Sequence, residues 1–500
     1  MRDTNLYTSM KRRFPADLDQ PCLLLPDGDV VSYRKLDARS AQIAHALLAA
    51  GCVRGDRVMA QVEKSPTAIC LYLACLRAGL VYLPLNTGYQ RRELTHFLAD
   101  AKPRVVVCTP EAMELMSAIA NPATRIFTLD YREHGSLINE IKTCFEDFAT
   151  VATSASDLAA ILYTSGTTGR SKGAMLAHGN LHANALDLVE SWGFTPADVL
   201  YHALPIFHVH GLFVALHCVF FSGGRMWFCP KFDVAQALEL LPRSTVMMGV
   251  PTFYSRLLAS PDFGREHCKT VRVFISGSAP LLTETFALFE ARTGQRILER
   301  YGMTETCMNT SNPLVGERVG GSVGLPLPQV KVRVAGADGQ HQPAGEIGEI
   351  EVRGPNVFQG YWGMPEKSAE DFTADGYFRT GDLGKLLPNQ YLQIVGRAKD
   401  LIITGGFNVY PKEIEELIDA LPGVVESAVV GIPHTDFGEA VTAVVVVQPG
   451  ARITSKSIIG SIKSELAGYK VPKFVYIVAD LPRNAMGKVQ KNVLRQQYGK

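Results

Sequence analysis

The chain has 500 residues, 47% hydrophobic and 20% charged, with a formal net charge of +1; this exceeds what one core serves, so two or more domains are expected, and the ordinary apolar share excludes extended disorder. The near-neutral balance excludes a global pull toward nucleic acid or membrane, and no apolar run reaches the roughly 18 residues of a spanning helix. Ten cysteines are scattered without C-x-x-C or metal-ligand spacing, as expected of reduced thiols in a cytoplasmic enzyme, and Lys11-Arg12-Arg13 precedes no apolar segment, so no signal peptide is expected.

The first 150 residues alternate helical and strand patterns. Ala41, Ile43, Ala44, Leu47 and Leu48 recur at helical spacing, residues 57–62 read as a strand, 68–78 as a helix ending at Gly79, and 80–85 and 104–108 as buried strands. This rhythm predicts α/β layering with parallel strands. Residues 158–162 form another buried strand, followed by Tyr163-Thr164-Ser165-Gly166-Thr167-Thr168-Gly169-Arg170-Ser171-Lys172-Gly173 and then by Leu181, Ala185, Leu188, Val189 and Trp192 at helical spacing. The predicted layout is strand, glycine-rich loop, helix. Hydroxyls, close-approaching glycines and a lysine suit a polyphosphate, although the glycine spacing is not that of a P-loop; the alternative is a surface loop rich in turn formers.

The same rhythm continues with a strand over 245–249, Pro251 as the first residue of a helix, and a strand over 271–275 ending in Ser276-Gly277-Ser278-Ala279-Pro280. Residues 296–299 lead into Tyr301-Gly302-Met303-Thr304-Glu305-Thr306. An aromatic there can stack on a base and a carboxylate can hold Mg²⁺ beside phosphates; equally, Thr304-Glu305-Thr306 suits a helix N-cap. From about 310 to 395 short strands with many Gly and Pro predict a small β-rich subdomain, in which Asp382 is placed in a tight turn, able to accept the two hydroxyls of a ribose or serving a purely local purpose. After Gly396-Arg397-Ala398-Lys399-Asp400 a compact unit is predicted: helix 411–421, strands 427–432 and 441–447, helix 458–466 and strand 474–478. A domain boundary falls at 397–399. From Arg452 onward ten Lys or Arg stand against Glu465 and Asp480, so the tail is +8 and the remainder −7; it is either a solvated face or a holder of phosphates. Lys488, after Gly487, reads on its own as a surface lysine.

Taken together, Tyr163 to Gly173, Tyr301 to Glu305, Tyr377 to Gly384, Gly396 to Asp400 and Pro482 to Lys488 resemble, in order and spacing, the acyl-CoA synthetase, adenylation-domain and luciferase superfamily, over the whole chain. The resemblance implies a large N-terminal domain (1–396) of layered α/β sheets with the β-rich subdomain, a hinge at 397–399 and a small mobile α+β C-terminal domain (400–500). It implies a two-step enzyme: a carboxylate attacks the α-phosphate of Mg-ATP to give an acyl-adenylate, then the thiol of CoA displaces AMP. By the same resemblance Thr164, Ser165, Gly166, Thr167, Thr168, Gly169 and Lys172 cradle the outer phosphates, and Tyr301, Gly302, Met303 and Thr304 line the nucleotide. Glu305, with Thr164, holds Mg²⁺; Asp382 binds the ribose and Arg397 assists. Lys488 bridges the attacking carboxylate and the α-phosphate, Lys399 is the hinge, and Gly405 and Gly406 form part of a thiol channel.

For the acid, Leu204 to Gly211 resembles the gate of the acyl pocket; His208 and His210 lack further ligands for a metal. Arg256 lies beside Phe253 on the helical wheel, flanking the pocket or snorkelling to solvent. An arginine facing the pocket calls for a second carboxylate. The text around it, with Ser276 and Ser278 and with Met308-Asn309-Thr310-Ser311, resembles the malonyl-CoA synthetase branch, which implies that Arg256 reads the distal carboxylate of malonate, helped by Ser276, Ser278 and His208. Malonate, ATP and CoA are the expected partners of a cytoplasmic monomer or small homo-oligomer, with methylmalonate used more weakly. The alternatives are a synthetase for a short monocarboxylic acid and an adenylation enzyme loading a carrier protein.

Overall fold

The computed structural model describes residues 4–164, 171–484 and 487–499. Among these the chain forms four sheets. The largest runs Leu325–Pro326, Cys307–Ser311, Leu298–Met303, Val273–Ser276, Val246–Gly249, Val199–His202, Arg225–Phe228, Pro21–Leu24, Val30–Ser32, parallel throughout its middle and antiparallel at both ends. The second runs Arg125–Thr128, Val105–Cys108, Arg57–Gln61, Val81–Pro84, Leu158–Thr164, Lys172–Ala177.

Side-chain alternation along these strands decides the layering. Val58, Ala60, Val105 and Val107 of one sheet and Val246, Met248, Val273 and Ile275 of the other enter a single core, together with the helices Tyr33–Ala49, Pro66–Ala78 and His178–Ser191. The intervening residues face outward into separate cores: Met59, Val106 and Cys108 under the helix Arg91–Ala101, and Met247 and Phe274 under Pro251–Ala259 and Thr283–Thr293. A strand buried on both faces needs apolar residues at every position, which is why these segments read as continuous runs. The helix Pro66–Ala78 shows how local sequence fixes the boundaries: Ser65 Oγ accepts from the Ala68 amide at 3.2 Å, Pro66 takes the first position, and Gly79 closes the helix at φ 67°.

The β-rich subdomain is a four-stranded antiparallel sheet of Lys331–Ala335, Gly348–Arg353, Phe378–Leu386 and Leu392–Arg397. The C-terminal unit wraps five strands, among them Ile402–Thr404, Val424–His434 and Gly438–Val447, with the helices Pro411–Asp419, Ser455–Ile462 and Lys491–Tyr498. This is the expected α/β architecture. No helix among the described residues is long and apolar enough to cross a membrane.

Three local expectations are corrected. Lys172–Ala177 is a strand, antiparallel to Leu158–Thr164, so a hairpin rather than a strand-to-helix turn brackets the glycine-rich loop, and the helix starts only at His178. After Lys172 the strand's residues are apolar and fill the sheet's edge, which a search for helical spacing overlooks. Asp382 lies within the strand Phe378–Leu386, where Gly381 at φ 69° supplies the kink that reads as a turn. Thr304-Glu305-Thr306 is the hairpin turn between Leu298–Met303 and Cys307–Ser311, not a helix start.

Candidate active site

Parallel strands place their C-terminal ends along one rim, and open α/β sheets bind ligands there. That rim gathers His208 beyond Val199–His202, Pro251 beyond Val246–Gly249, Gly277 and Ser278 beyond Val273–Ser276, and Glu305 beyond Leu298–Met303. Ser165, Gly166, Thr167, Thr168 and Gly169 lie outside the described residues. The hairpin that brackets them sets Thr164 opposite Lys172. Thr164 Oγ1 donates to Glu305 Oε1 at 3.4 Å and the Tyr361 hydroxyl donates to the same oxygen at 3.1 Å, while Lys172 Nζ stands 4.7 Å from the centre of the Tyr361 ring. Burial raises the pKa of Glu305, and Arg397 and Lys172 act against that rise. A buried carboxylate with cations around it suits a site for charged phosphates. Mg²⁺ is commonly held by one or two carboxylates plus phosphate oxygens, so the lone Glu305 fits it, and no group of three or more His, Cys, Asp or Glu suited to a metal occurs among the described residues.

On the opposite side Asp382 pairs in register with Arg397. Arg397 Nε meets Asp382 Oδ1 at 2.6 Å, and the Tyr301 hydroxyl donates to Oδ2. Each carboxylate oxygen keeps lone-pair capacity for a diol.

The same sheet contains a buried arginine that the sequence reading missed. Arg300 is 3% exposed, and its Nε and Nη2 have no hydrogen-bond partner among the described residues; nor do Ser276 Oγ and His210 Nε2, also buried. A Cβ on Gly277 would stand 2.5 Å from Arg300 Cζ, so the absence of a side chain there lets the guanidinium lie against the loop. Burial lowers the Arg300 pKa to about 10. Its neighbour Glu299 points to the other face of the strand, where Oε1 accepts from the Leu281 amide and burial pushes the carboxyl up to about 7. An unpaired buried guanidinium is costly, and a carboxylate is its natural complement. The available signal was Glu299-Arg300, two charges inside an otherwise apolar strand.

Ser278, at φ 72°, places Oγ 3.1 Å from His210 Nδ1. His208 is held down to about 3 by burial, then by Lys488 and Arg300, so it is a neutral imidazole at physiological pH. His208 lies in the turn before the helical segment His210–Ala215, whose start is tied back by His202, with Nε2 2.9 Å from the Gly211 carbonyl; Lys64 Nζ donates to the carbonyls of His202 and Leu204 at 2.9 Å. Arg256 is exposed and makes no hydrogen bond or ion pair among the described residues. It follows Thr252 by one turn on the same face of the helix, and a Cβ on Gly487 would lie 3.8 Å from Thr252 Cγ2, so this face meets the loop that carries Lys488.

Lys488 retains solvent exposure at the cleft mouth, yet its ammonium lies among Arg397, Asp382, Arg300 and Glu305. Desolvation first, then Arg397 and Arg300, lower its pKa, with Asp382 and Glu305 opposing. Lys399 is exposed in the short turn Ala398–Asp400, and Gly405 and Gly406, both at positive φ, form the tip of the hairpin between Ile402–Thr404 and Phe407–Val409. Here, then, Lys488 lies near Arg397, Asp382, Arg300 and Glu305, while Gly405 and Gly406 form a separate hairpin.

The chain belongs to the AMP-binding enzyme family: that family's model matches residues 11–362, and the model of the AMP-binding enzyme C-terminal domain matches 413–488. Within it, the chain is similar to ATP-bound MatB from Rhodopseudomonas palustris, with 55% identity over 100% of this chain and 99% of that one and a TM-score of 0.98. Against apo MatB the TM-score is 0.86 at the same identity and coverage. The mitochondrial malonate–CoA ligase of Mus musculus is 36% identical over 93% of this chain and 87% of that protein, and the feruloyl-CoA synthase of an Amycolatopsis species 35% over 94% and 95%.

Proposed function

We propose that the chain is an ATP-dependent malonate:CoA ligase working in two half-reactions. In the first, an oxygen of one malonate carboxylate attacks the α-phosphorus of ATP, and the bond to the bridging oxygen breaks with its electrons leaving on pyrophosphate. Lys488 lies between the two anions and stabilises the charge that develops there. Thr164 and Lys172 hold the outer phosphates with the loop between them; Asp382, Arg397 and Tyr301 hold the nucleoside. Glu305, with Thr164 beside it, would hold Mg²⁺, which when bound neutralises phosphate charge. In the second half-reaction the CoA sulfur attacks the acyl carbon and the carbon–oxygen bond to AMP breaks. A turn of the 400–500 domain about Lys399, withdrawing Lys488 and presenting Gly405 and Gly406, lets one cleft serve both steps. The ten free cysteines support a cytoplasmic setting.

The observation that carries the choice of acid is the buried Arg300, whose Nε and Nη2 have no hydrogen-bond partner among the described residues and whose guanidinium lies against Gly277. Arg300 grips the distal carboxylate, Ser276 and Ser278 add hydroxyls, His208 adds a neutral ring, and Arg256 at the mouth supplies a second cation. An aromatic or simple aliphatic acid would leave the Arg300 guanidinium desolvated and unpaired, which argues against ferulate and against a short monocarboxylate despite the identity to a feruloyl-CoA synthase. Pyrophosphate exchange with malonate, methylmalonate, acetate and ferulate tests this. Malonate is expected to lead, with methylmalonate about ten- to a hundredfold behind, since one methyl group is worth about 1–3 kcal/mol. Brisk exchange on acetate or ferulate with none on malonate would overturn it.

A further inference from the structure

Among the described residues, those on either side of 485–486 are tied to one another next to Lys488. The Asn484 amide donates to the Lys488 carbonyl at 2.9 Å, the Lys488 amide to Asn484 Oδ1 at 3.0 Å, the Gly487 amide to the Asn484 carbonyl at 2.9 Å, and Arg483 bridges Val489. Arg483 ties this segment to the sheet of the small domain: its Nη1 donates to the Gly487 carbonyl at 2.6 Å, while Nη2 pairs with Glu426 in the strand Val424–His434. Gly487, at φ 74°, in turn faces Thr252 of the large domain.

We propose that Arg483 is the positioning residue of the adenylation half-reaction, fixing the carbonyl next to Lys488 to the sheet of the small domain so that the ammonium arrives in register with the acid and the α-phosphate. This rests on the reading of Lys488 given above. Arg483 acts through the backbone: its Nη1 holds the Gly487 carbonyl, and Glu426 neutralises its guanidinium. Because Lys488 withdraws for thioester formation, Arg483 serves only the first half-reaction.

The test measures both half-reactions, malonate-dependent pyrophosphate exchange and thioester formation from presynthesised malonyl-adenylate with CoA, for Arg483→Met, Arg483→Lys, Lys488→Ala and the double variant Arg483→Met/Lys488→Ala. A misplacement of about 1 Å can lower a rate about a hundredfold. Arg483→Met is therefore expected to lose about ten- to a hundredfold in exchange and less than about twofold in thioester formation, with partial rescue by Arg483→Lys. It is expected to add nothing to Lys488→Ala, as for residues acting through one group. Glu426→Gln, which keeps the shape of the anchor, should lose exchange less than Arg483→Met and equally spare the thioester step; it gives the same readout if Arg483→Met does not fold. Full exchange in Arg483→Met while Lys488→Ala is inactive, or equal losses in both half-reactions, would overturn the proposal and leave the function standing. Full exchange in Lys488→Ala would overturn the Lys488 reading, and this proposal with it.

Discussion

The two sides of the cleft are built differently. On the large domain the candidate ligand groups are held by strands packed on both faces: Arg300 within Leu298–Met303, Ser276 at the end of Val273–Ser276 and Glu305 in the turn that follows are all buried. On the small domain Lys488 is exposed at the end of a short turn, anchored by Arg483 and Glu426. Recognition of the acid needs fixed, desolvated groups that cannot be satisfied by the wrong substrate. If, as proposed, Lys488 serves one step and leaves before the next, a light attachment suits it.

Removing the moving cation should produce the largest effect. Lys488→Ala is expected to lower pyrophosphate exchange by about a hundred- to a thousandfold or more, the range for deleting a preorganised transition-state donor, while sparing thioester formation from malonyl-adenylate. Equal losses in both steps would erase the distinction between the two sides. Next comes the fixed wall: Arg300→Met should reduce kcat/KM for malonate by tens- to thousandsfold, since truncating one partner of a buried charge pair costs about 2–5 kcal/mol, without lowering the small rate on acetate. Arg256→Ala, at an exposed position, is expected to lose less than Arg300→Met. The reverse order would move the reading of the distal carboxylate to the helix Pro251–Ala259.

Much of this was legible beforehand. Alternating buried strands, the helix between Pro66 and Gly79 and the α/β elements after residue 400 form where the spacing of apolar residues predicts them, because each depends on local spacing. Arg300 was not, because a strand residue's partner, or its lack of one, depends on a loop twenty-odd positions away at Gly277, and no local pattern reports it. Arg256 was legible as a cation on the pocket helix, but its exposure depends on how that helix meets the 487–488 turn. Tyr361 likewise reaches Glu305 only through tertiary pairing of its segment with the strand Lys172–Ala177.

Two smaller effects concern protons. Lys488 must be charged to act, and its pKa is lowered by desolvation and by Arg397 and Arg300. Adenylation should therefore decline, as pH rises, below the ordinary lysine range near 10.4, and the thioester step should lack that limb. Glu299 carries a folded-state pKa raised to about 7, so its charge opposes folding. The penalty is absent below the unfolded carboxylate value, grows as pH rises through that interval and is complete above about 7. Glu299→Gln is expected to raise Tm at pH 8 by more than at pH 5, and an equal change at both would remove the titration from the account.

The central claim is that a buried guanidinium selects a second carboxylate, and it is tested most directly by adenylation of malonate and acetate in the unaltered enzyme and in Arg300→Met. The expected result is a malonate preference of at least a hundredfold that collapses toward parity in the variant through loss of malonate use. An unaltered enzyme that adenylates acetate as readily as malonate, or a variant that keeps the full preference, would contradict it.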